Sequence, residues 1–447
     1  MGGVFKKYDI RGVYPDDIDE ELVYRIGRAI ADEYSLDRVI VGYDYRKSSE
    51  PFFRSLSKGF NSRGCRVVTL GNTATPVLYR ECIDGEFPIG IMITASHNPK
   101  DYNGLKICTD DGLLVTYGKG LEKIEERVGK DQSSIKDADC EDMIEEKDVS
   151  DEYSEFIGSM LKGLDKRFKI SIDAGNGVAG PLLDKILGYL DGDVDRLFFE
   201  PDGDYPNHDA NPLEDKNLDD LKASVKKNGS DAGFAFDGDA DRCVLLDEKG
   251  DVVNTDMLLC LIATEEAKNN PGSTFYYDLR FSKVVKEHIE SLDCNAIMNM
   301  VGNAFYKEKL VSDGGLVAAE LSGHVMFSEN KNLDDGFYLV AKAIRYMDDL
   351  KRPLSELVQP FKKYWQTPEI NMKVDDADAV LAEMKERFKD QDINELDGVT
   401  VSDDDWWFNI RKSNTEPLVR MRIEADTETL LEEKKNLLEE MIAKHKA

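Results

Sequence analysis

Apolar, β-branched runs alternate with helix-like stretches along most of the chain. Val39-Ile40-Val41-Gly42-Tyr43-Asp44, Ile170-Ser171-Ile172-Asp173 and Phe275-Tyr276-Tyr277-Asp278 each run into an aspartate and a loop, and each is followed by helix-like sequence. Short apolar runs bounded by turns predict buried strands, and their alternation with helical patterns predicts βαβ units and largely parallel sheets. Each copy then has a second strand that opens into an unusual loop. These are 89–93 before Thr94-Ala95-Ser96-His97, 232–236 before Asp237, and 316–319 before Glu320. The weak repeat predicts three related α/β domains with one special loop each. Because open α/β sheets bind ligands beyond the carboxyl ends of their strands, all three loops are expected to face one central cleft.

After Tyr364 the pattern changes. A strand at 370–374, a helix at 378–388, strands near Val399, Phe408 and Val419, and a charged helix from Glu428 predict a smaller α+β domain at the carboxyl end. The acid-rich stretch 131–152 reads as a linker, and a new helical pattern begins after the Asp247-Glu248-Lys249-Gly250-Asp251 turn. The expected domains are therefore 1–150, 151–253, 254–365 and 366–447, which suits a chain of 447 residues. The fold class is α/β: three similar mixed α/β domains followed by an α+β domain.

Charge then narrows the partners. With 58 basic and 89 acidic residues the formal charge is −31. Duplex nucleic acid is excluded as the default partner, since that affinity comes from a net basic face, and adhesion to anionic membranes is disfavoured. An anionic substrate would have to be drawn into a chain that repels it on average. No run approaches a membrane span and the first residues carry no signal core, so the expected compartment is the cytoplasm. The seven scattered cysteines form no C-x-x-C pair and read as reduced core thiols.

Candidate chemistry lies in the loops. In Thr94-Ala95-Ser96-His97-Asn98-Pro99, a hydroxyl at a strand end, with Lys106 ten residues later, can accept and donate a phosphoryl group. The alternative is an N-cap serine beside a proline turn. Adjacent Ser96 and His97 do not make a hydrolase triad, which needs spatial rather than sequential neighbours. In Asp237-Gly238-Asp239-Ala240-Asp241-Arg242, three alternate carboxylates can converge on one hard cation; an exposed acidic turn is the bland reading. An EF-hand is rejected, because Arg242 stands where that loop requires glycine, and Mg²⁺ is preferred.

Glu320-Leu321-Ser322-Gly323-His324 offers a carboxylate and hydroxyl suited to sugar hydroxyls, or an ordinary polar turn. Arg411-Lys412-Ser413-Asn414-Thr415 makes an anion nest, or a decorated hairpin. The tract Trp406-Trp407-Phe408 is expected to pack in a core.

Together these loops resemble the α-D-phosphohexomutases, most of all the phosphomannomutase/phosphoglucomutase branch, over nearly the whole chain. The resemblance implies an enzyme that interconverts hexose 6-phosphate and hexose 1-phosphate, mannose and/or glucose, through phosphoserine and a hexose 1,6-bisphosphate. It implies that Ser96 is phosphorylated, and that Asp237, Asp239, Asp241 and a phosphoserine oxygen hold Mg²⁺. His97, Lys106, Arg242 and His324 would lie near the reacting groups. Glu320 and Ser322 would grip the sugar, and Arg411, Ser413, Asn414, Thr415 and Arg422 the distal phosphate. Tyr8 and Arg11 match the amino-terminal Tyr8-Asp9-Ile10-Arg11-Gly12 signature. Competing readings are a phosphoglucosamine mutase, a metal-dependent phosphatase and a non-catalytic phosphosugar sensor. For the charge of −31 the expectation is a basic cleft, built from Arg11, Lys106, Arg242, Arg411 and Arg422, within an acidic shell.

Overall fold

A computed structural model describes residues 3–137, 142–413 and 418–445. The chain divides into two compact units. The first comprises residues 1–254, 306–318 and 322–357; the second comprises 255–305, 319–321 and 358–447.

Among the described residues, the first unit opens with a six-stranded sheet in the order Ile10–Val13, Tyr102–Thr109, Ile89–Ile93, Arg38–Tyr43, Arg66–Asn72, Ile144–Glu146. Strand alternation decides which layer each side chain enters. Val39 and Val41 join the cluster beneath helices Glu20–Tyr34 and Ser49–Asn61, while Ile40 between them joins the cluster under helix Thr75–Asp84. The sheet is mixed, where the hydropathy pattern predicts a largely parallel one. Arg38–Tyr43 runs parallel to both its neighbours, but Tyr102–Thr109 returns antiparallel to Ile89–Ile93. The intervening loop, 94–101, is too short for the dozen residues of a parallel crossover. That short loop is the one carrying Ser96.

The second sheet of this unit repeats the plan. Phe168–Asp173 lies parallel to Gly192–Leu197 and to Ala232–Phe236, and Cys243–Leu246 returns antiparallel after the loop of Asp237. Val325–Phe327 and Leu333–Asp334 form an antiparallel pair. Ile144–Glu146, inside the stretch read as a linker, is an edge strand parallel to Arg66–Asn72. All three of its residues are exposed, so backbone pairing and not burial makes it a strand, and its edge is guarded by charge.

In the second unit Thr274–Asp278 pairs in parallel with Asn295–Asn299. The carboxyl-terminal part is the expected α+β arrangement. Ile370–Lys373, Val399–Ser402, Trp406–Lys412 and Leu418–Ala425 belong to an antiparallel sheet, with helices Ala377–Arg387 and Glu428–Ala443 packed on its core. Trp406, Trp407 and Phe408 are all buried, as core packing requires. The six described cysteines are free and buried. Among the described residues no helix is long and apolar enough to cross a membrane.

Candidate functional site

Ser96 sits just past the end of strand Ile89–Ile93 with no exposed surface and a left-handed backbone, φ 52°. A residue carrying Cβ avoids that conformation unless its surroundings enforce it. Here Ser96 N donates to Thr94 Oγ1 (2.9 Å), and its carbonyl accepts from Arg46 Nη2 (2.8 Å). The hydroxyl is thereby aimed at the acidic loop, donating to Asp237 Oδ2 at 2.9 Å, with His97 Nδ1 3.2 Å away. Arg11 reaches the same loop through Asn98 Oδ1 (2.6 Å) and pairs with Asp9. Tyr8, just before the strand of Arg11, lies under Lys7 Nζ. Burial first, then the nearby Arg242, Arg11 and Lys106, hold the His97 imidazole well below its usual range. His97 is therefore neutral beside the serine.

The acidic loop meets Ser96 directly. A Cβ on Gly238 would fall 2.6 Å from the Ser96 carbonyl oxygen, so only glycine lets the two loops close. Asp237, Asp239 and Asp241 are buried, and one carboxylate oxygen from each lies within 4.8 Å of the others. Alternation along the loop, with Ala240 at φ 62°, brings the three to one point. Lys106 Nζ bridges Asp239 Oδ2 (2.6 Å) and Asp241 Oδ2, and Thr75 Oγ1 donates to Asp239. Burial would strip the Lys106 proton, but Asp239, Asp241 and Asp237 push its pKa up instead. Burial, then Asp241 and Asp239, push Asp237 well above the usual carboxylate range.

Three carboxylates face two cations here, the Lys106 ammonium and the Arg242 guanidinium, which lies 3.6 Å from Asp237 Oδ2 and 3.8 Å from Asp241 Oδ1. Asp239 Oδ1 and Asp241 Oδ1 are buried and accept no hydrogen bond among the described residues. Converging hard oxygens with spare lone pairs fit a divalent cation. Glu248, the twelfth residue of an EF-hand reading, is not among the carboxylates gathered here; it accepts from Ser355 N (3.1 Å) and Ser355 Oγ.

Arg242, next in sequence, donates from Nε to His324 Nε2 (2.9 Å). That bond assigns the ring proton to Nδ1, which faces Asp334 Oδ2 at 3.2 Å. Lys307 Nζ stands 2.7 Å from the other oxygen of Asp334, fully buried and over the Tyr79 ring. Sequence reasoning missed Lys307, because a lysine in Asn303-Ala304-Phe305-Tyr306-Lys307-Glu308 reads as a solvated helix face. Ser322 Oγ is buried and makes no hydrogen bond among the described residues.

The second unit holds a cluster of arginines. Arg411 Nη2 contacts both oxygens of Glu369 (2.9 and 3.0 Å), and Arg280 Nη1 contacts the same carboxylate at 2.8 Å. Burial would raise the Glu369 pKa, but Arg280 and Arg411 hold it down to about 2. The Nε atoms of Arg411, Arg420 and Arg422 are buried without hydrogen-bond acceptors among the described residues. Burial and then Arg280, against the pull of Asp256, bring Arg422 below its usual range. A ligand with several anionic oxygens would satisfy these donors. Glu320 faces Arg280 at 3.6 Å, and Leu321 N donates to Asp278 Oδ2 (3.0 Å), which fixes the loop of Glu320. Ser413 N donates to Leu418 O; Asn414 and Thr415 lie outside the described residues.

Arg46, Arg280, Lys307 and Glu369 were not picked out from sequence, and Asp44 and Asp278 were read only as the ends of strands. The signal for two of them was present in the repeat itself. Asp44-Tyr45-Arg46 and Asp278-Leu279-Arg280 share an aspartate at a strand end and an arginine two residues on.

Four domain families match the chain in order. Phosphoglucomutase/phosphomannomutase, alpha/beta/alpha domain I, covers residues 2–134, domain II 151–250 and domain III 254–364, and the C-terminal domain covers 369–442. The chain belongs to the phosphoglucomutase/phosphomannomutase family. It is 34% identical over 442 residues to a phosphomannomutase of Methanocaldococcus jannaschii, spanning 99% of this chain and 98% of that protein. It is 35% identical over 438 residues to a phosphomannomutase/phosphoglucomutase of Pseudomonas aeruginosa, spanning 96% and 93%. Its fold is similar to the crystal structure of a phosphoglucomutase/phosphomannomutase family protein from Burkholderia thailandensis, with TM-score 0.89 and 31% identity over 98% and 96% of the two chains. Side chains of Lys106, Arg242, Arg411 and Arg422 are each exposed by no more than 12%.

Proposed function

We propose that this protein interconverts hexose 6-phosphate and hexose 1-phosphate, with mannose and/or glucose as the sugar. The reading rests above all on Ser96, a buried serine at a strand end whose hydroxyl donates a hydrogen bond to Asp237, in a loop where Asp239 Oδ1 and Asp241 Oδ1 accept none among the described residues. Phospho-Ser96 gives its phosphoryl group to the free sugar hydroxyl: the P–O bond to Ser96 breaks, one to the sugar forms, and a hexose 1,6-bisphosphate results. The bisphosphate turns end for end, and its other phosphoryl group returns to Ser96.

Each residue has a part in that cycle. Asp237, Asp239, Asp241 and a phosphoserine oxygen would hold Mg²⁺, which when bound neutralises charge on the transferring phosphoryl oxygens. Lys106, kept protonated by its carboxylate neighbours, and Arg242 offset the remaining oxygen charge. His97, beside Ser96 Oγ, and His324, which accepts from Arg242, are the imidazoles near the reacting groups. Glu320 and Ser322 take sugar hydroxyls, and Ser322 Oγ is buried with no hydrogen bond among the described residues. Arg411 and Arg422, with Ser413, Asn414 and Thr415, take the phosphate that is not reacting, whether it is on O1 or O6. Tyr8 and Arg11 complete the site from the amino end. The four domains are proposed at 1–150, 151–253, 254–365 and 366–447, in keeping with the matched segments.

The decisive experiment is incubation with glucose 1,6-bisphosphate followed by intact-mass measurement. The wild type should gain one phosphoryl group and convert glucose 1-phosphate or mannose 1-phosphate to the 6-phosphate. Ser96→Ala should gain none and lose turnover by several orders of magnitude; undiminished mutase activity in that variant would end the proposal.

A further inference from the structure

A mutase asks one side chain to release a phosphoryl group and later retrieve it, so Ser96 Oγ must stand in the same place at both ends of the cycle. The backbone that places it is left-handed, and strands alone do not impose that conformation. The structure shows what does. Arg46 has a side chain with no exposed surface, and every one of its guanidinium hydrogens is committed. Nη2 donates to the carbonyls of Ser96 (2.8 Å) and Asn98 (2.7 Å), and Nη1 to those of Pro99 (2.6 Å) and Tyr102 (2.9 Å). Nε donates to Asp44 Oδ2 (3.1 Å). Asp44 is itself fixed, since its Oδ1 accepts from Arg46 N (3.0 Å) and Ser49 Oγ. The Tyr205 ring lies 5.2 Å from the guanidinium carbon, and a Cβ on Gly238 would also come within 3.2 Å of Tyr205 Oη.

We propose that Arg46, set by Asp44, is a positioning residue for phosphoryl transfer: it gathers three carbonyls of the serine loop and that of Tyr102, where the next strand begins, and so fixes where Ser96 Oγ meets its donor and acceptor. The role rests on the mutase reading above. Four carbonyls and one carboxylate need five donors in a planar fork. Lysine offers three on a point charge and cannot reproduce the pattern. The related pair in the second unit is put to another use. Arg280 also bonds its own aspartate, Asp278, but its free end meets the carboxylates of Glu369 and Glu320. Loop bracing through backbone carbonyls is therefore particular to the Ser96 loop and does not follow from the repeat alone.

The test uses the full chain as wild type, Arg46→Lys and Asp44→Asn, with glucose 1-phosphate as substrate and glucose 1,6-bisphosphate as activator. Steady-state kinetics, phosphoenzyme formation by intact mass, circular dichroism and Mg²⁺ titration are measured on each. A misplaced reacting atom lowers turnover by about 100-fold at near-constant substrate affinity. The expected result is that fall in kcat in both folded variants, KM within about threefold, phosphoenzyme formation slowed in step, and the Mg²⁺ affinity of the unphosphorylated protein, which the three aspartates set, unchanged. Turnover within about threefold of wild type in either folded variant would overturn the proposal. So would activity that falls only with the folded fraction, or the failure of both variants to fold, each of which marks a purely structural role. Wild-type protein that forms no phosphoenzyme and no isomer would instead remove the mutase reading, and this role with it.

Discussion

Asp239 carries two loads that a single atom change separates. Its Oδ2 accepts from Lys106 and Thr75, while Oδ1 is buried and accepts no hydrogen bond among the described residues. Asp239→Asn keeps the shape but removes one of three anionic oxygens. Apparent Mg²⁺ affinity should fall by roughly 10- to 100-fold, the usual range for losing a group that matters to a metal site. Calorimetric titration of folded variant and wild type checks this, and an unchanged isotherm would remove Asp239 from the ligand set. At this scale the sequence showed part of the picture. Three aspartates at alternate positions can serve a cation or an exposed acidic turn, and the structure buries all three with their carboxylates within 4.8 Å of one another. Lys307 and Glu369 escape, because a lone charged residue in a polar stretch looks the same whether it is solvated or sealed against a distant partner.

Between residue and molecule, the strand Tyr102–Thr109 is the element that ties the site together. It carries Lys106 and is held at the sheet edge by Ile10–Val13, which carries Arg11. The pairing leaves no room at Gly104, where a Cβ would meet the Ile10 carbonyl oxygen at 2.1 Å. Gly104→Ala should push the edge strand away, costing about 1–3 kcal/mol of stability as overpacking does, and should lower turnover because Arg11 and Lys106 shift together. Urea unfolding read alongside kinetics checks both, and a variant with wild-type stability would contradict the packing. Hydropathy found the buried strands because apolar runs record burial. It missed the antiparallel returns, which depend on loop length, and the polar edge strand Ile144–Glu146, whose exposed residues carry no apolar signal.

For the molecule as a whole, the charge of −31 is reconciled with an anionic substrate by where charges are buried. Arginines of the second unit are held by internal carboxylates, and Glu369 is the hub. Its pKa, held down to about 2 against a usual 4.5, means that folding favours the ionised form. The stabilisation is full above about pH 4.5 and is lost as pH falls toward 2. It amounts to on the order of 3 kcal/mol. Glu369→Gln should therefore be less stable than wild type by a gap that is constant from pH 7 to about pH 5 and narrows below that. Denaturant unfolding across this range checks the sign; a gap that widened on acidification would contradict it.

What the sequence determined by itself was the alternation of buried strands and helices, the α+β ending, the chemical loops and their family resemblance. All of these are written in local order: period, turn residues and spacing of ligands. The tertiary structure alone decided that Ser96 points at Asp237, that Arg46 gathers the serine loop, that Lys307 stands behind His324 through Asp334, and that Glu369 joins Arg280 to Arg411. Those pairings join residues far apart in the chain, and their strength comes from removing charge and donors from water, which no local pattern records.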